Sequence, residues 1–148
     1  MAIVVGFTQR PESLAALDRA VEEANLRRVP LHIVQTLRES PGDNPSQVQD
    51  LTERVAQLRQ RGESIEDGLR QQGIDAHFRL LESDPAAPAR QLLAYAEELP
   101  AELIIIGLRR RSPVGKLVLG SVSQDILLGA ECPVLAIKSR DDQPVTPR

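Results

Sequence analysis

The sequence predicts an α/β fold in which five parallel strands form an open sheet with helices on both faces. Five short apolar segments alternate along the chain with four amphipathic helical patterns, an order that builds a parallel sheet through right-handed crossovers. The first and fourth apolar segments are nearly continuous, as expected for strands that helices cover on both faces. The chain has 148 residues, and residues 1–138 are predicted to form one domain, followed by a polar, proline-bearing tail over residues 139–148 that we expect to be frayed.

The five predicted strands are rich in aliphatic and β-branched residues. They span residues 2–7, 31–37, 76–81, 103–107 and 133–138. Aromatic residues make up only 2% of the chain, and it has no tryptophan. The core between the strands and the helices must therefore consist mainly of Leu, Ile, Val and Ala.

Apolar residues recur at steps of three and four between the strands, which predicts helices. The first helix follows Pro11, a residue that suits the first turn of a helix. The second pattern runs from Val48 to Leu69, and Gly62 interrupts its apolar stripe. Residues 38–46 precede it and hold two prolines and a glycine, so we expect them to form a loop.

The last two helices are shorter. The third is predicted over residues 84–100, with Asp84 as its N-cap and with Pro88 confining its regular part. The fourth is predicted over residues 121–130, with Ser121 as its cap.

Composition and charge exclude several functions. The net charge is −3 and the pI is near 5.4, so the field of the whole molecule disfavours a polyanion such as DNA, and the scarcity of aromatic residues disfavours base stacking. The apolar runs are far too short to span a bilayer, and the amino terminus lacks the charged region of a signal peptide. The single cysteine, Cys132, excludes an internal disulfide and is interpreted as a small buried apolar residue in a reducing compartment. We therefore expect the protein in the cytoplasm, without membrane or nucleic-acid partners.

The stretch between the fourth strand and the fourth helix is the most informative. Gly107 ends the strand, and Gly120 and Ser121 open the helix, whose amino terminus offers unpaired N–H groups and a partial positive charge. The segment between them carries cationic side chains that suit phosphate, namely Arg109, Arg110, Arg111 and Lys116. Ligands of doubly wound sheets bind at the carboxyl ends of the strands, so this stretch predicts a phosphate-binding site.

Two common phosphate-binding motifs do not fit this stretch. A Walker A loop requires Ser or Thr after Gly-Lys, whereas Leu117 follows Lys116 and Arg110 stands where the first glycine would be. The Rossmann fingerprint is missing from the first strand-to-helix turn, which reads GFTQRPES. The site is therefore expected to use a different backbone pattern.

Over nearly its whole length the sequence resembles the universal stress protein family. The similarity lies in the apolar first strand and in the segments RPESLAALDRAVEEA, LHIVQTL, ESDPAAPARQLLAYAEELPAELIIIG and LGSVSQDILLGAECPVLAIK. The resemblance implies a Rossmann-like sheet, of the adenine nucleotide alpha hydrolase type, with strand order 3-2-1-4-5. It also implies a homodimer that forms through the last strand, Val134–Lys138.

The nucleotide-binding branch of that family has a Gly-x2-Gly-x9-Gly-Ser/Thr loop that wraps ribose and phosphates. Gly107 matches the first glycine of this motif, and Gly120 and Ser121 match its last pair at the expected spacing. Val122 would offer its backbone N–H beside them. The resemblance therefore implies an adenine nucleotide, ATP or AMP, at this loop.

The match to the nucleotide-binding branch is incomplete. Ile106 and Thr36 fall where the family packs or hydrogen-bonds the nucleoside. Arg110 replaces the second glycine, however, and Thr8 replaces the Asp that follows the first strand and helps to hold the adenosine. A threonine places no carboxylate there, although its hydroxyl can still form a hydrogen bond. We hypothesise that the arginine side chains compensate for these changes.

Two functional hypotheses follow. The first is a dimeric stress-response module in which Arg109, Arg110 and Lys116 neutralise the phosphates and Thr8 and Thr36 line the adenosine pocket. The alternative is a protein-interaction module without nucleotide, in which the arginines form a partner surface or a solvated rim and the glycines serve only turns. No general base near the loop and no carboxylate for Mg²⁺ is apparent, so we expect slow ATP hydrolysis at most.

The remaining chemically versatile residues are interpreted as structural. His32 and His77 lie in predicted strands, and Tyr95 is expected to be a half-buried packing residue of the third helix. Lys116 fits a surface lysine as well as a ligand contact. The sequence contains no apparent Ser-His-Asp arrangement, carboxylate pair or metal-ligand spacing, so neither catalytic residues nor a metal site are predicted.

Overall fold

The computed structural model describes residues 1–8, 10–37, 42–82, 87–108 and 119–138. These residues form nine elements in strict alternation: β1 (Ala2–Gly6), α1 (Pro11–Arg27), β2 (Leu31–Thr36), α2 (Pro45–Gln71), β3 (Ala76–Leu81), α3 (Pro88–Glu98), β4 (Ala101–Leu108), α4 (Ser121–Gly129) and β5 (Val134–Lys138). The strands form one sheet in the order β3-β2-β1-β4-β5, and every pair is parallel. The predicted fold class and strand order are confirmed.

Each face of the sheet carries its own hydrophobic core because neighbouring residues of a strand point to opposite faces. Ile3 and Val5 of β1 pack on one face against α1 and α2, whereas Val4 packs on the other face among residues of α3 and α4. All three side chains are fully buried. This double coverage explains why β1 reads as a continuous apolar run.

The strand bounds agree with the sequence to within two residues. β3 matches the prediction, whereas β1, β2 and β5 are each one residue shorter. β4 is longer at both ends and runs through Gly107 to Leu108, so Gly107 lies inside the strand instead of ending it.

The second helix begins earlier than the sequence suggested. Pro45 occupies its first turn, and the side chain of Asn44 caps it by accepting a hydrogen bond from the Gln47 N–H at 2.8 Å. The predicted loop through residue 46 is thus two residues too long. Gly62, which interrupts the apolar stripe, is buried against Phe78, whose ring a Cβ at position 62 would overlap.

The predicted caps of the last two helices are wrong. α3 begins at Pro88 with Ala87 at the N-cap position, because the proline fixes the first turn there; Asp84 itself lies outside the described residues. Gly120 is the N-cap of α4, and Ser121 is already its first helical residue.

The carboxyl-terminal tail over residues 139–148 also lies outside the part that the structure describes. Among the described residues, no helix combines the length and the apolar character needed to cross a membrane.

Candidate functional site

Three of the residues predicted for the site lie along one edge of the sheet. Val5 of β1 pairs with Ile105 of β4, and Gly6 pairs with Val34 of β2. The carboxyl ends of β2, β1 and β4 are therefore consecutive neighbours. Thr36, Thr8 and Gly107 lie along this edge, where ligands of open parallel sheets bind.

Thr8 follows β1 and takes part in a small hydroxyl network. Its backbone N–H donates to Ser13 Oγ at 2.9 Å, and the two hydroxyl oxygens lie 2.7 Å apart. The Arg10 N–H donates to Thr8 Oγ1 at 3.4 Å. Since a hydroxyl has one donor and two acceptor positions, one hydrogen-bonding position of the exposed Thr8 side chain remains.

The Thr8–Ser13 pair holds the first turn of α1 against the end of β1. Ser13 is only 4% exposed and lies on the side of α1 that faces the sheet. The sequence analysis assigned no role to Ser13. The hydroxyl at each end of the segment TQRPES was the available signal, because Ser and Thr commonly bond backbone groups at a helix start.

Close packing explains why position 107 has no side chain. A Cβ there would collide with the backbone carbonyl of Glu12 and lie 3.1 Å from the Glu12 Cβ. Glu12 is buried in the first turn of α1, where the helix dipole favours a carboxylate. Close contact between α1 and β4 therefore accounts for Gly107 without a ligand.

The two predicted nucleoside contacts differ in exposure. Ile106 is 4% exposed and belongs to the core beneath α3. Thr36, the last residue of β2, is half-buried. Of these two residues, only Thr36 offers substantial side-chain surface at the edge of the sheet.

The amino termini of α3 and α4 flank an open cavity of about 860 Å³. Ala87, Pro88, Ser121 and Val122 line its walls. The N-cap residues Ala87 and Gly120 have no side-chain oxygen that could cap these helices, and neither first turn contains an acidic residue. Such helix termini present backbone N–H groups and a partial positive charge to an anion.

Charged side chains of both signs surround this cavity. Arg90 of α3 supplies a cation, whereas Glu97 and Asp125 supply carboxylates. Within the described part of the chain, no group of three His, Cys, Asp or Glu side chains could hold a metal ion. The chemistry that these described residues offer is anion binding by backbone N–H groups, with Arg90 as an additional cation.

The predicted site residues are thus divided into two groups. Ser121 and Val122 line the cavity between α3 and α4, whereas Thr8, Thr36, Ile106, Gly107 and the cap position Gly120 are not among its lining residues. Arg109, Arg110 and Lys116, together with Arg111, lie outside the described residues. The Ser121 hydroxyl forms no hydrogen bond within the described part of the chain and is exposed.

The two histidines lie near the amino ends of their strands, away from this edge. His32 and His77 pair in register on β2 and β3, and their rings stack with centroids 4.8 Å apart. His32 Nδ1 is hydrogen-bonded to the Tyr95 hydroxyl at 2.8 Å. Burial, assisted by the charges of His77 and Arg79, lowers the pKa of His32 to about 4. This cluster joins β2, β3 and α3 at the opposite ends of the strands from Thr36 and Thr8.

Cys132 is partly buried beside the core under α3 and α4. Burial raises the pKa of its thiol, which reduces its reactivity.

The fold just described defines a class of protein, the Rossmann-like α/β domains. Domains of this class commonly bind ligands at the carboxyl ends of their parallel strands. Comparison with known proteins narrows this class. The profile of the universal stress protein family matches residues 1–138, and the chain belongs to this family.

Individual relatives agree in fold and in length. A universal stress protein of Mycolicibacterium smegmatis is 35% identical over 138 residues, which cover 92% of this chain and 96% of the relative. A universal stress protein structure from Archaeoglobus fulgidus is 35% identical, with a TM-score of 0.70 and coverage of 93% and 98%. Another structure from that organism, a complex with dAMP, is 28% identical with a TM-score of 0.67 and the same coverage.

Proposed function

We propose that this chain is a stress-response module that binds an adenine nucleotide, ATP or AMP, at the carboxyl edge of its sheet. The observation that carries the proposal is the amino terminus of α4. Gly120 leaves this helix without a side-chain cap, and Ser121 and Val122 open onto a cavity of about 860 Å³. The related structure that holds dAMP supports the choice of an adenine nucleotide.

Each residue of the proposed site has a chemical role. Backbone groups of Gly120 and Val122 would donate hydrogen bonds to the phosphates, and the Ser121 hydroxyl would add a further bond. Thr36 would border the nucleoside, and Thr8 would use its one remaining hydrogen-bonding position.

The cations and the apolar residues complete the proposal. Arg109, Arg110 and Lys116 would neutralise the phosphate charge, which is the compensation that the missing glycine and carboxylate require. Gly107 would contact the ribose and phosphates through its backbone at the end of β4, and Ile106 would support the base from the core.

A substitution at Gly120 tests this site. Gly120→Val places a branched side chain at the N-cap of α4, where it would obstruct the approach of the phosphates to the backbone N–H groups. We expect this variant to lose nucleotide binding without unfolding. The wild-type protein should gain about 2.7 kcal/mol of stability at a nucleotide concentration 100 times Kd, measured by thermal shift with ATP, AMP and cyclic AMP.

Gly68→Val is the matched control. A Cβ at position 68, on α2, would meet no heavy atom within 4 Å, so this variant should keep the full nucleotide-dependent shift. Retained affinity in a folded Gly120→Val variant would contradict the proposed site.

The alternative function, a protein-interaction module without nucleotide, has its own support. The Thr8 hydroxyl is already bonded to Ser13, and the contact with Glu12 explains Gly107 without a ligand. If the wild-type protein shows no shift with any of the three nucleotides, this alternative is favoured.

We further propose that the protein acts in the cytoplasm as a homodimer paired through β5. The single cysteine of the chain suits a reducing compartment. β5 lies at an edge of the sheet, and antiparallel pairing about a two-fold axis would cover this edge in both copies.

A further inference from the structure

The two edges of the sheet differ in how their backbone groups are satisfied. At the β3 edge, the N–H groups of Leu31 and Leu37 bond the carbonyls of Asp75 and Leu81 at 2.9 Å. Alternate residues of a parallel strand bond the same neighbour. The backbone groups of Ala76, Phe78 and Leu80, which lie between these positions, therefore point outward, away from β2. Ala76 and Phe78 are the two of these positions whose backbone groups bond other parts of the chain.

All four outward groups at these two positions have partners within the chain. The Ala76 carbonyl accepts from Arg70 Nε at 2.9 Å, and the Phe78 N–H donates to Glu66 Oε2 at 2.6 Å. The Ala76 N–H donates to the Ile74 carbonyl at 3.0 Å, and the Phe78 carbonyl accepts from Arg79 Nη1 at 3.1 Å. At Leu80, the third outward position, neither backbone group has a partner among the described residues. An incoming strand could therefore bond β3 at this one position, whereas Ala76 and Phe78 are already occupied.

The two partners from α2 are held in place by the helix. Glu66 and Arg70 are one turn apart and form an ion pair of 3.7 Å. One turn earlier, Gly62 brings α2 against the ring of Phe78. The Glu66 side chain is only 16% exposed, so its carboxylate bonds the strand in a partly desolvated position, where charge-assisted hydrogen bonds are strong.

The opposite edge lacks such cover within the described residues. The Ile104 N–H bonds the Pro133 carbonyl at 3.0 Å, so the backbone groups of Val134, Ala136 and Lys138 point outward from β5. None of them has a hydrogen-bond partner among the residues that the structure describes.

We propose that Glu66 and Arg70 form an edge clamp that occupies two of the three outward positions of β3 and so prevents strand addition there by a second copy of this chain. An uncovered edge strand is a template for pairing with another chain. A sheet that is open at both edges can grow into an open-ended assembly, whereas a sheet open at one edge closes at two copies. The clamp thus confines strand pairing to β5. This inference holds whether or not the chain binds nucleotide or pairs through β5.

The double variant Glu66→Ala/Arg70→Ala tests the clamp. Hydrogen exchange should be at least about tenfold faster at the Phe78 amide, which loses a bond to a charged group. The mass measured by light scattering after size-exclusion chromatography should exceed that of the wild type at equal concentration and rise with concentration.

Arg59→Ala/Glu82→Ala is the matched control. It removes another ion pair between α2 and the end of β3, of 2.6 Å, but leaves Glu66 and Arg70 in place. This variant should keep the wild-type mass and the wild-type exchange rate at Phe78. An equal rise in mass in both double variants would mean general aggregation and would overturn the proposal.

Two further outcomes complete the test. A folded Glu66→Ala/Arg70→Ala variant with wild-type mass would show that β3 needs no clamp and would also overturn the proposal. If that variant does not fold, Glu66→Met replaces it, because methionine keeps the length of the side chain and a good helix propensity but has no strong acceptor for the Phe78 N–H. Faster Phe78 exchange together with a higher mass is expected for Glu66→Met as well, and an unchanged mass would contradict the clamp.

Discussion

At the scale of single residues, Gly107 shows how a position can have two explanations. In the sequence it matches the first glycine of a nucleotide-binding loop, whereas in the structure it gives the Glu12 backbone room to lie against β4. The two explanations predict different effects on the stability of the ligand-free protein when a side chain is added at position 107. A ligand-binding role alone predicts unchanged stability, and the packing role predicts a loss.

Gly107→Ala separates these explanations. We expect the unfolding free energy to fall by about 1–3 kcal/mol, the usual cost of adding a methyl group to a tightly packed contact, measured by urea denaturation without nucleotide. Gly6→Ala is the control, because a Cβ there would lie 3.4 Å or more from its neighbours, an ordinary contact distance. Equal stability of Gly107→Ala and the wild type would contradict the packing role.

At the scale of elements, the histidine cluster ties β2 and β3 to α3. His32 stacks on His77 and bonds Tyr95, with Arg79 and Asp75 also close to it. The pKa of His32 is lowered to about 4 from an ordinary value of 6.5. The unfolded chain therefore binds a proton at His32 before the folded chain does.

This difference predicts that acid weakens the fold. The contribution of neutral His32 to stability is complete above pH 6.5 and is lost as the pH falls from 6.5 to about 4, with a slope of at most about 1.4 kcal/mol per pH unit. Urea denaturation across this range should give a weaker pH dependence for His32→Gln, which has no titrating ring. Identical pH profiles would contradict the assignment, since the carboxylates titrate in both proteins.

Local signals predicted the elements well and their contacts poorly. The spacing of apolar residues, which differs between strands and helices, is a property of each segment. All nine elements were therefore predictable, and the predicted bounds of β3 matched the structure to the residue. The start of α3 was missed because Pro88 fixes the first turn and overrides the capping potential of Asp84. Position 107 requires a glycine because Glu12 packs against it. Glu12 is distant in the sequence, so no local pattern predicts this contact.

The same distinction applies to the candidate site. The sequence predicts that Thr8, Thr36 and Gly107 share one edge of the sheet, and the structure brings them together there because the carboxyl ends of parallel strands share one edge. The sequence analysis missed the hydrogen bond between Thr8 and Ser13, and it took Ser121 for the cap where Gly120 holds that position. These features depend on how α1 and α4 meet the sheet, which the motif spacing does not determine.

At the scale of the whole molecule, the two sheet edges predict how copies assemble. Ala136→Pro removes an outward-facing N–H of β5 but no bond to β4, so the fold should survive while a β5 dimer should not. Light scattering after size-exclusion chromatography should give twice the chain mass for the wild type and a single chain mass for the variant. Ala136→Val, which keeps the N–H, is the control and should remain dimeric. A dimeric Ala136→Pro variant would contradict pairing through β5.

The central claim is that the carboxyl edge of the sheet holds an adenine nucleotide, and the most direct measurement is mass spectrometry of the small molecules released when freshly purified protein is denatured. The account predicts that wild-type protein releases AMP or ATP, that the Gly68→Val control does the same, and that Gly120→Val releases neither. Wild-type protein that carries no nucleotide and shows no thermal shift with ATP, AMP or cyclic AMP would contradict the claim.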